Sequence, residues 1–140
     1  MIKKIILLLV VILGIVLLIR KNSAVDYGIE NATYFGNEAV GDLDGDGKDD
    51  KVFLIVQKSE GSGTFYYAVA AIQTDKGYKN TNPFLIGDRI APQSSMITSR
   101  EIHINYAERR AGEPMTTPPS QGAVLLLKVT PEGVLEGLMK

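Results

Sequence analysis

Residues 42–50 of this 140-residue chain, DLDGDGKDD, place five aspartates within nine positions. Carboxylates this close together repel one another, so a folded loop of this composition is destabilised unless a cation gathers them. Calcium loops take carboxylates from their first, third and fifth positions and turn sharply at a glycine in the sixth. They add the backbone carbonyl of the seventh position as a further ligand. The segment is therefore a candidate cation site.

Counted from Asp42, every oxygen donor of that pattern is present, and Gly47 stands at the turn. The predicted ligands are four carboxylates and one backbone carbonyl: Asp42, Asp44, Asp46, Asp50 and, through its carbonyl, Lys48. Asp50 binds directly or through water, whereas Asp49 points away and is expected to be a solvated charge or one that pairs across strands. All the ligands are oxygens and no His or Cys lies nearby, so we expect Ca²⁺ before Mg²⁺. An acidic turn that binds no ion is the alternative.

The loop differs from an EF-hand because its twelfth position is Phe53 rather than a bidentate glutamate, and Phe53 lies within the strand-like run VFLIV. The pattern D-x-D-x-D-G-x-x-D followed by apolar residues resembles the calcium loops of FG-GAP and VCBS-type repeats in extracellular β-propellers. That resemblance implies a loop joining two strands and an ion with a structural role. The chain holds one copy of the loop, whereas a propeller needs several blades.

A second group of polar residues lies at the start of a long loop that contains three prolines. The candidate ligand-binding residues there are Tyr106, Glu108, Arg109, Arg110 and Glu113. One interpretation is a solvated, salt-bridged loop. Another is a site for a carboxylate or a glycan phosphate, with Arg109 and Arg110 as donors. A third is a calcium-dependent hydrolase in which Glu108 or Glu113 acts as acid or base. We predict no catalytic residue and no enzyme activity.

Two further polar segments are expected to be structural. His103 is the only histidine, and its outward position on a predicted strand gives it no nucleophile or carboxylate partner for catalysis. The segment Gly87-Asp88-Arg89 is predicted to be a turn in which Asp88 accepts hydrogen bonds from backbone N–H groups while Arg89 pairs elsewhere.

The N-terminus contains an unbroken apolar run, Ile5–Ile19, in which every residue is apolar or glycine. As a helix it would cover about 22 Å of the roughly 30 Å hydrocarbon core, and flanking basic side chains extend its reach. Those side chains are Lys3, Lys4, Arg20 and Lys21. We predict a signal-anchor over residues 1–21, spanning the membrane through residues 2–21, with residues 22–140 outside the cytoplasm. A signal peptide that is cleaved to release a secreted protein is the alternative.

The remaining chain is acidic, because residues 22–140 hold 16 acidic and 11 basic groups. This balance argues against nucleic acid as a partner, since nucleic acid attracts basic surfaces. The chain has no cysteine, which excludes disulfides, thiolate metal sites and a lipid-modified N-terminal cysteine.

Residues after 22 form short β-branched and aromatic runs separated by Gly, Pro and polar residues, without a helical period. The predicted strands are Val52–Val56, Thr64–Gln73, Phe84–Ile86, Glu101–Tyr106, Ala123–Thr130 and an edge strand within Gly133–Leu138. We therefore predict a single antiparallel β meander or sandwich behind one transmembrane helix. Residues 22–33 would form a linker and first strand, and residues 34–140 the extracytoplasmic β domain.

Four segments resemble, in order, a bacterial exported domain found alone or beside META-type domains. They are YFGNEAVGDLDGDGKDD, GSGTFYY, LIGDRIAPQ and INYAERRAGEPM. The resemblance implies an envelope location and no particular activity. We expect a membrane-anchored, calcium-binding module that is not an enzyme and that binds an unidentified protein or glycan of the envelope. An accessory subunit of an envelope complex is an alternative.

Overall fold

Nine β-strands form two antiparallel sheets in this computed structural model, which describes residues 2–6 and 25–139. The strands are β1 Ala32–Gly41, β2 Asp50–Lys58, β3 Thr64–Thr74, β4 Gly77–Asn80, β5 Phe84–Asp88, β6 Ala91–Thr98, β7 Glu101–Glu108, β8 Gln121–Val129 and β9 Leu135–Gly137. Residues 2–6 are helical and exposed. In the described ranges no helix has the length and apolar character needed to cross a membrane. The predicted anchor, residues 2–21, falls mainly outside those ranges.

The first sheet contains β1 to β5 and the second contains β6 to β9. In the first sheet β1, β2 and β3 are consecutive neighbours, and both β4 and β5 pair with β3. The second sheet is a meander in chain order. Arg89 and Ile90 carry the chain from β5 into β6, so one short connection joins the two sheets.

The main hydrophobic core lies between the inner faces of the two sheets. The first sheet contributes alternate residues of β2 and β3, and the second contributes residues of β7, β8 and the end of the chain. These buried residues are Val52, Leu54, Ala68, Ala70, Ile102, Ile104, Leu127 and Leu135. Leu43, from the acidic loop itself, joins them and is 2% exposed. The loop is thus tied to the core by one of its own side chains.

The outer face of the first sheet has a second apolar cluster. Phe53 and Ile55 of β2 lie beside Val69 and Ala71 of β3, and the four are buried. The chain leading into β1 packs on this cluster through two side chains, Tyr27 and Ile29. Apolar residues on both faces of β2 and β3 explain why these two strands carry no polar alternation in the sequence.

The antiparallel β architecture is confirmed, and the predicted strands over 52–56, 64–73, 84–86, 101–106 and 123–130 are all present with small changes in length. Ile102 and Ile104 face inward as expected. Most of β1, all of β4 and all of β6 lie outside the strands predicted from the sequence. β1 is interrupted by register shifts on either side of Gly36, and β6 contains Pro92 beside a register shift. Such irregular strands lack the alternation that identifies a strand from sequence.

Candidate metal centre

The acidic loop connects β1 to β2 and brings four carboxylates together. Oxygens of Asp42, Asp44, Asp46 and Asp50 all lie within 4.8 Å of one another. These are the same four side chains that the spacing selected as ligands. Asp49 is exposed and stands outside the group, also as expected.

Glycines let the loop turn back on itself around Asp42. Gly45 and Gly47 both have φ near +80°, a conformation that side-chain-bearing residues rarely adopt. Their N–H groups donate to the two oxygens of Asp42, at 2.7 Å to Oδ1 and 3.0 Å to Oδ2. The Asp42 carboxylate therefore organises the turn even before any ion is considered.

Asp44 and Asp46 make the next two turns of the loop in the same way. Asp44 Oδ1 accepts a hydrogen bond of 3.2 Å from the Asp46 N–H, and Asp46 Oδ1 accepts one of 2.8 Å from the Lys48 N–H. Both bonds use Oδ1, so Oδ2 of each side chain remains available to a cation. Both residues are exposed, which leaves the ion an entry route from solvent.

The Asp50 side chain links the loop to the neighbouring strand β3. Its side chain is completely buried, and its oxygens accept hydrogen bonds from the Leu43 N–H at 2.8 Å and the Gln73 N–H at 2.9 Å. The carboxylate thereby joins the start of the loop to the end of β3. Burying a carboxylate with neutral partners alone is costly, because its negative charge is not compensated.

The nearest positive charges compensate the loop only in part, since the charge of Arg100 acts to lower the pKa of Asp42. Among the described residues, none of the four carboxylates forms a salt bridge with Lys or Arg. Lys48 turns away from the loop and pairs with Asp75 at 2.9 Å. The guanidinium of Arg100, from the turn between β6 and β7, lies against Gly45, where it occupies the space that a Cβ would need. No local pattern in the sequence predicts this contact of Arg100 with the loop.

The pKa values of Asp42 and Asp44 reflect how closely the carboxylates of the loop lie together. Burial raises the pKa of the Asp44 carboxyl, and the nearby Asp46 and Asp50 side chains raise it further. Burial also acts to raise the pKa of Asp42, but the N–H groups of Gly47 and Gly45, together with the Asp44 side chain and the positive charge of Arg100, lower that pKa. The hydrogen-bonded backbone thus favours charge on Asp42, whereas neighbouring acids oppose it on Asp44.

A cavity of about 370 Å³ opens beside the loop. Leu43 and Asp44 form one wall, and Arg100, Lys128 and the 129–131 turn form others. Lys128 is itself paired with Glu136 at 3.3 Å. The cavity gives solvent access to Asp44, which is consistent with an ion entering from this side.

The second candidate region, residues 106–115, lies at the opposite end of the sandwich. Arg109 is partly buried, and its guanidinium donates to two backbone carbonyls, through Nε to Thr117 at 2.6 Å and through Nη1 to Arg89 at 2.7 Å. Arg109 therefore fastens the long loop to the connection between the sheets. Arg110 is exposed, and its backbone N–H donates to Glu113 Oε2 at 2.9 Å. These are hydrogen bonds to backbone groups, rather than salt bridges within the loop.

Tyr106 and Glu108 lie at the end of β7, where the strand meets this loop. Burial raises the pKa of Tyr106, and the negative charge of Glu108 adds to the increase. Neither residue lines the 370 Å³ cavity or the smaller cavity of about 90 Å³ near Thr81. His103 Nε2 lies 3.5 Å from Glu101 Oε2, so the expectation that it has no carboxylate partner is wrong.

The turn at Asp88 and Arg89 agrees with only part of the prediction made from the sequence. Asp88 Oδ1 accepts a hydrogen bond of 2.8 Å from the Thr64 N–H, as predicted for a turn aspartate. The expectation that Arg89 pairs elsewhere is wrong, because it binds the adjacent Asp88 through Nε at 3.1 Å and Nη2 at 3.0 Å. The positive φ of Arg89 accompanies this local pairing.

Comparison with models of protein families, with curated proteins and with solved structures finds no match in any of the three. The candidate site therefore stands on its own chemistry. Four carboxylates lie close enough together to hold a hard cation, and two of them, Asp44 and Asp46, use only Oδ1 in hydrogen bonds with the described residues.

Proposed function

We propose that the chain is a β domain that binds one Ca²⁺ through the acidic loop and that is held at the outer surface of a membrane by its apolar N-terminal segment. The ion has a structural role, and the domain serves as a binding or envelope-interaction module rather than as an enzyme. The proposed ligands are the carboxylates of Asp42, Asp44, Asp46 and Asp50 with the Lys48 carbonyl.

The observation that carries the calcium proposal is the environment of Asp50. This carboxylate is fully buried and bound by two neutral N–H groups, beside three other carboxylates and without a cationic partner in the described chain. A divalent cation would supply the missing charge. A loop of flexible oxygen ligands suits Ca²⁺, because Mg²⁺ demands near-ideal octahedral geometry and keeps more of its water.

The attachment of the loop to the core and to β3 supports a structural role for the ion. Leu43 is buried in the main core, and Asp50 binds the end of β3, so an ion in the loop would stiffen a connection between β1, β2 and β3. At a Kd of about 10⁻⁴ M, typical of extracellular sites, millimolar calcium stabilises the folded state by roughly 1–2 kcal/mol. The domain has no disulfides, so this contribution is useful.

The membrane proposal is supported by the sequence of residues 2–21, whose apolar run is flanked by basic residues at both ends. Membrane fractionation tests it, since an anchored chain remains in the pellet after alkaline extraction. Protease added to intact cells then degrades residues 22–140 if they lie outside. A chain recovered in the supernatant, or one protected in intact cells, contradicts the proposal.

Calorimetric titration of the full chain in detergent tests the calcium site. We expect one Ca²⁺ per chain with a Kd between about 10⁻⁴ and 10⁻³ M, and weaker binding of Mg²⁺. Asp46→Asn removes a ligand charge on the exposed side of the loop and should weaken binding at least tenfold. Asp49→Asn is the matched control, since it removes the same charge outside the ligand group, and it should bind nearly as the original chain does. Equal effects of the two variants would contradict the proposed ligand set.

A further inference from the structure

The outer face of the first sheet carries a group of aromatic side chains, called here the aromatic face: Tyr27, Tyr34, Phe53, Tyr67 and Tyr78. The Tyr27 and Tyr34 rings contact Phe53 with centroid distances of 5.7 and 5.5 Å. Tyr67 packs on the same buried cluster, and Tyr78 lies under the Lys51 ammonium at 5.6 Å. An antiparallel sheet facing water normally presents polar residues on that side, so this composition indicates a further contact.

Much of this face remains exposed in the isolated chain. Tyr34 and Tyr78 are each 52% exposed, and Leu85, which is paired with Tyr67, is 51% exposed. The outer face of the second sheet is less aromatic: β7 presents His103 and Asn105 there, and the exposed apolar residues paired with them are the aliphatic Met96 and Val124. Exposed apolar side chains grouped on one face mark an interaction site more often than scattered residues do.

The course of the chain indicates what this face meets. Tyr27 and Ile29, which pack on the aromatic face, belong to the segment that follows the apolar run ending at Ile19. Seven residues lie between Ile19 and Tyr27, so a fully extended chain separates these two residues by at most about 28 Å. An anchor in the bilayer therefore holds this face close to the membrane. The second sheet lies roughly 10 Å further away, behind the first.

The chemistry of the face also suits the membrane–water interface. Tyrosine is enriched there, because its ring enters the apolar region while its hydroxyl stays hydrated. The charges nearby cancel, since Lys51 pairs with Glu38 at 3.2 Å. In the connecting sequence, the basic Arg20 and Lys21 balance the acidic Asp26 and Glu30. A nearly neutral aromatic surface is compatible with zwitterionic headgroups and does not need anionic lipid.

We propose that the aromatic face rests on the lipid bilayer, so that the first sheet lies on the membrane and the second sheet faces away from it. This orientation rests on the membrane anchor of the proposed function. It leaves the edges and both ends of the sandwich, including the acidic loop, open to solvent and to other partners.

The chain contains no tryptophan, so single-tryptophan variants report on each face separately. The full-length chain is reconstituted into phosphatidylcholine vesicles with and without brominated acyl chains. Tyr78→Trp and Tyr34→Trp probe the aromatic face, and Val124→Trp probes the second sheet. Val124, at 56% exposed, is a matched control for Tyr78. Circular dichroism confirms that each variant is folded, and two probes on one face guard against the failure of either.

We expect brominated lipid to remove most of the emission of Tyr78→Trp and Tyr34→Trp and to leave Val124→Trp unchanged. Flotation of the vesicles tests membrane anchoring separately from the orientation of the domain. A chain that floats without quenching of either probe overturns the orientation while the anchor stands. A chain that does not float overturns both. Shielding of the probes from aqueous iodide without quenching by lipid would show that a second copy or another protein covers the face, and it also overturns the orientation.

Discussion

The two ends of the β-sandwich are organised by charged residues in opposite ways. At one end, the acidic loop gathers four carboxylates that have no salt-bridge partner in the described chain. At the other end, Asp88, Arg89 and Arg109 satisfy one another and the neighbouring backbone. β2 runs between these ends over nine residues, or about 30 Å. The charged groups of the second end are paired as the chain folds, whereas the four carboxylates of the first could hold a metal ion.

This difference shows that hydrogen-bond partners distinguish charged residues that stabilise the fold from charged residues that can bind a ligand. Arg109 looks like a binding residue in sequence, yet its guanidinium is used to hold two carbonyls of its own chain. The aspartates of the loop hold backbone N–H groups too, but Oδ2 of Asp44 and of Asp46 remains available. Residual bonding capacity, rather than charge alone, identifies the acidic loop as the candidate site.

The largest effect is expected from Asp50→Asn. The amide keeps one acceptor but places N–H donors against an N–H group of Leu43 or Gln73, so a buried hydrogen bond is lost. We expect a loss of about 3 kcal/mol of unfolding free energy in millimolar Ca²⁺, measured by urea denaturation, and weaker calcium binding. Asp49→Asn, on the exposed neighbour, should change stability by less than about 0.5 kcal/mol. Equal stability of the two variants would contradict the structural role of Asp50.

Arg109→Met should have a smaller effect that does not depend on calcium. The substitution keeps an apolar stem and leaves the Thr117 and Arg89 carbonyls without their donor, at a cost of about 2 kcal/mol. Arg110→Met is the control, because the Arg110 side chain is exposed and its backbone bond to Glu113 is retained. Denaturation with and without calcium should give the same loss for Arg109→Met. A loss of unfolding free energy that appears only with calcium would show that the Arg109 end depends on the acidic loop, and it would contradict the difference drawn between the two ends.

The smallest effect is expected from the pH dependence of the Asp88 turn. The Arg89 guanidinium, with the Thr64 N–H, lowers the pKa of Asp88 below its ordinary value. This stabilisation is fully present above the unfolded-state pKa of about 3.9 and is lost as pH falls through the lower folded-state pKa. Asp88→Asn should therefore cost about 1 kcal/mol at neutral pH and less under strong acid. Thermal melting between pH 7 and pH 2 measures it, and a constant cost across this range would exclude the charged pair as its cause.

The sequence predicted the acidic loop well because the relevant information is local. Five aspartates and two glycines within nine residues define both the turn and the direction of the side chains. It could not reveal that Asp50 binds Gln73 or that Arg100 lies on Gly45, because those partners come from distant strands. The same limit applies to Arg109, whose two acceptors lie 8 and 20 residues away.

The strands show a similar division. The sequence predicts strands over Val52–Val56 and Thr64–Gln73 because continuous apolar residues indicate burial on both faces. In the structure an apolar cluster lies on each face of these strands. β4 is exposed at all four residues and is a strand only because it pairs with the end of β3. No local pattern marks a strand of that kind, since its stability comes from its neighbour.

The central claim is that the acidic end is stabilised by calcium and the other end is not. Thermal and urea unfolding of the full chain in EDTA and in millimolar Ca²⁺, with Asp46→Asn alongside, tests this claim most directly. We predict that calcium adds roughly 1–2 kcal/mol to the original chain, that Asp46→Asn loses this gain, and that Arg109→Met retains it. If millimolar calcium leaves the stability of the original chain unchanged, the loop is not a structural calcium site and the account is contradicted.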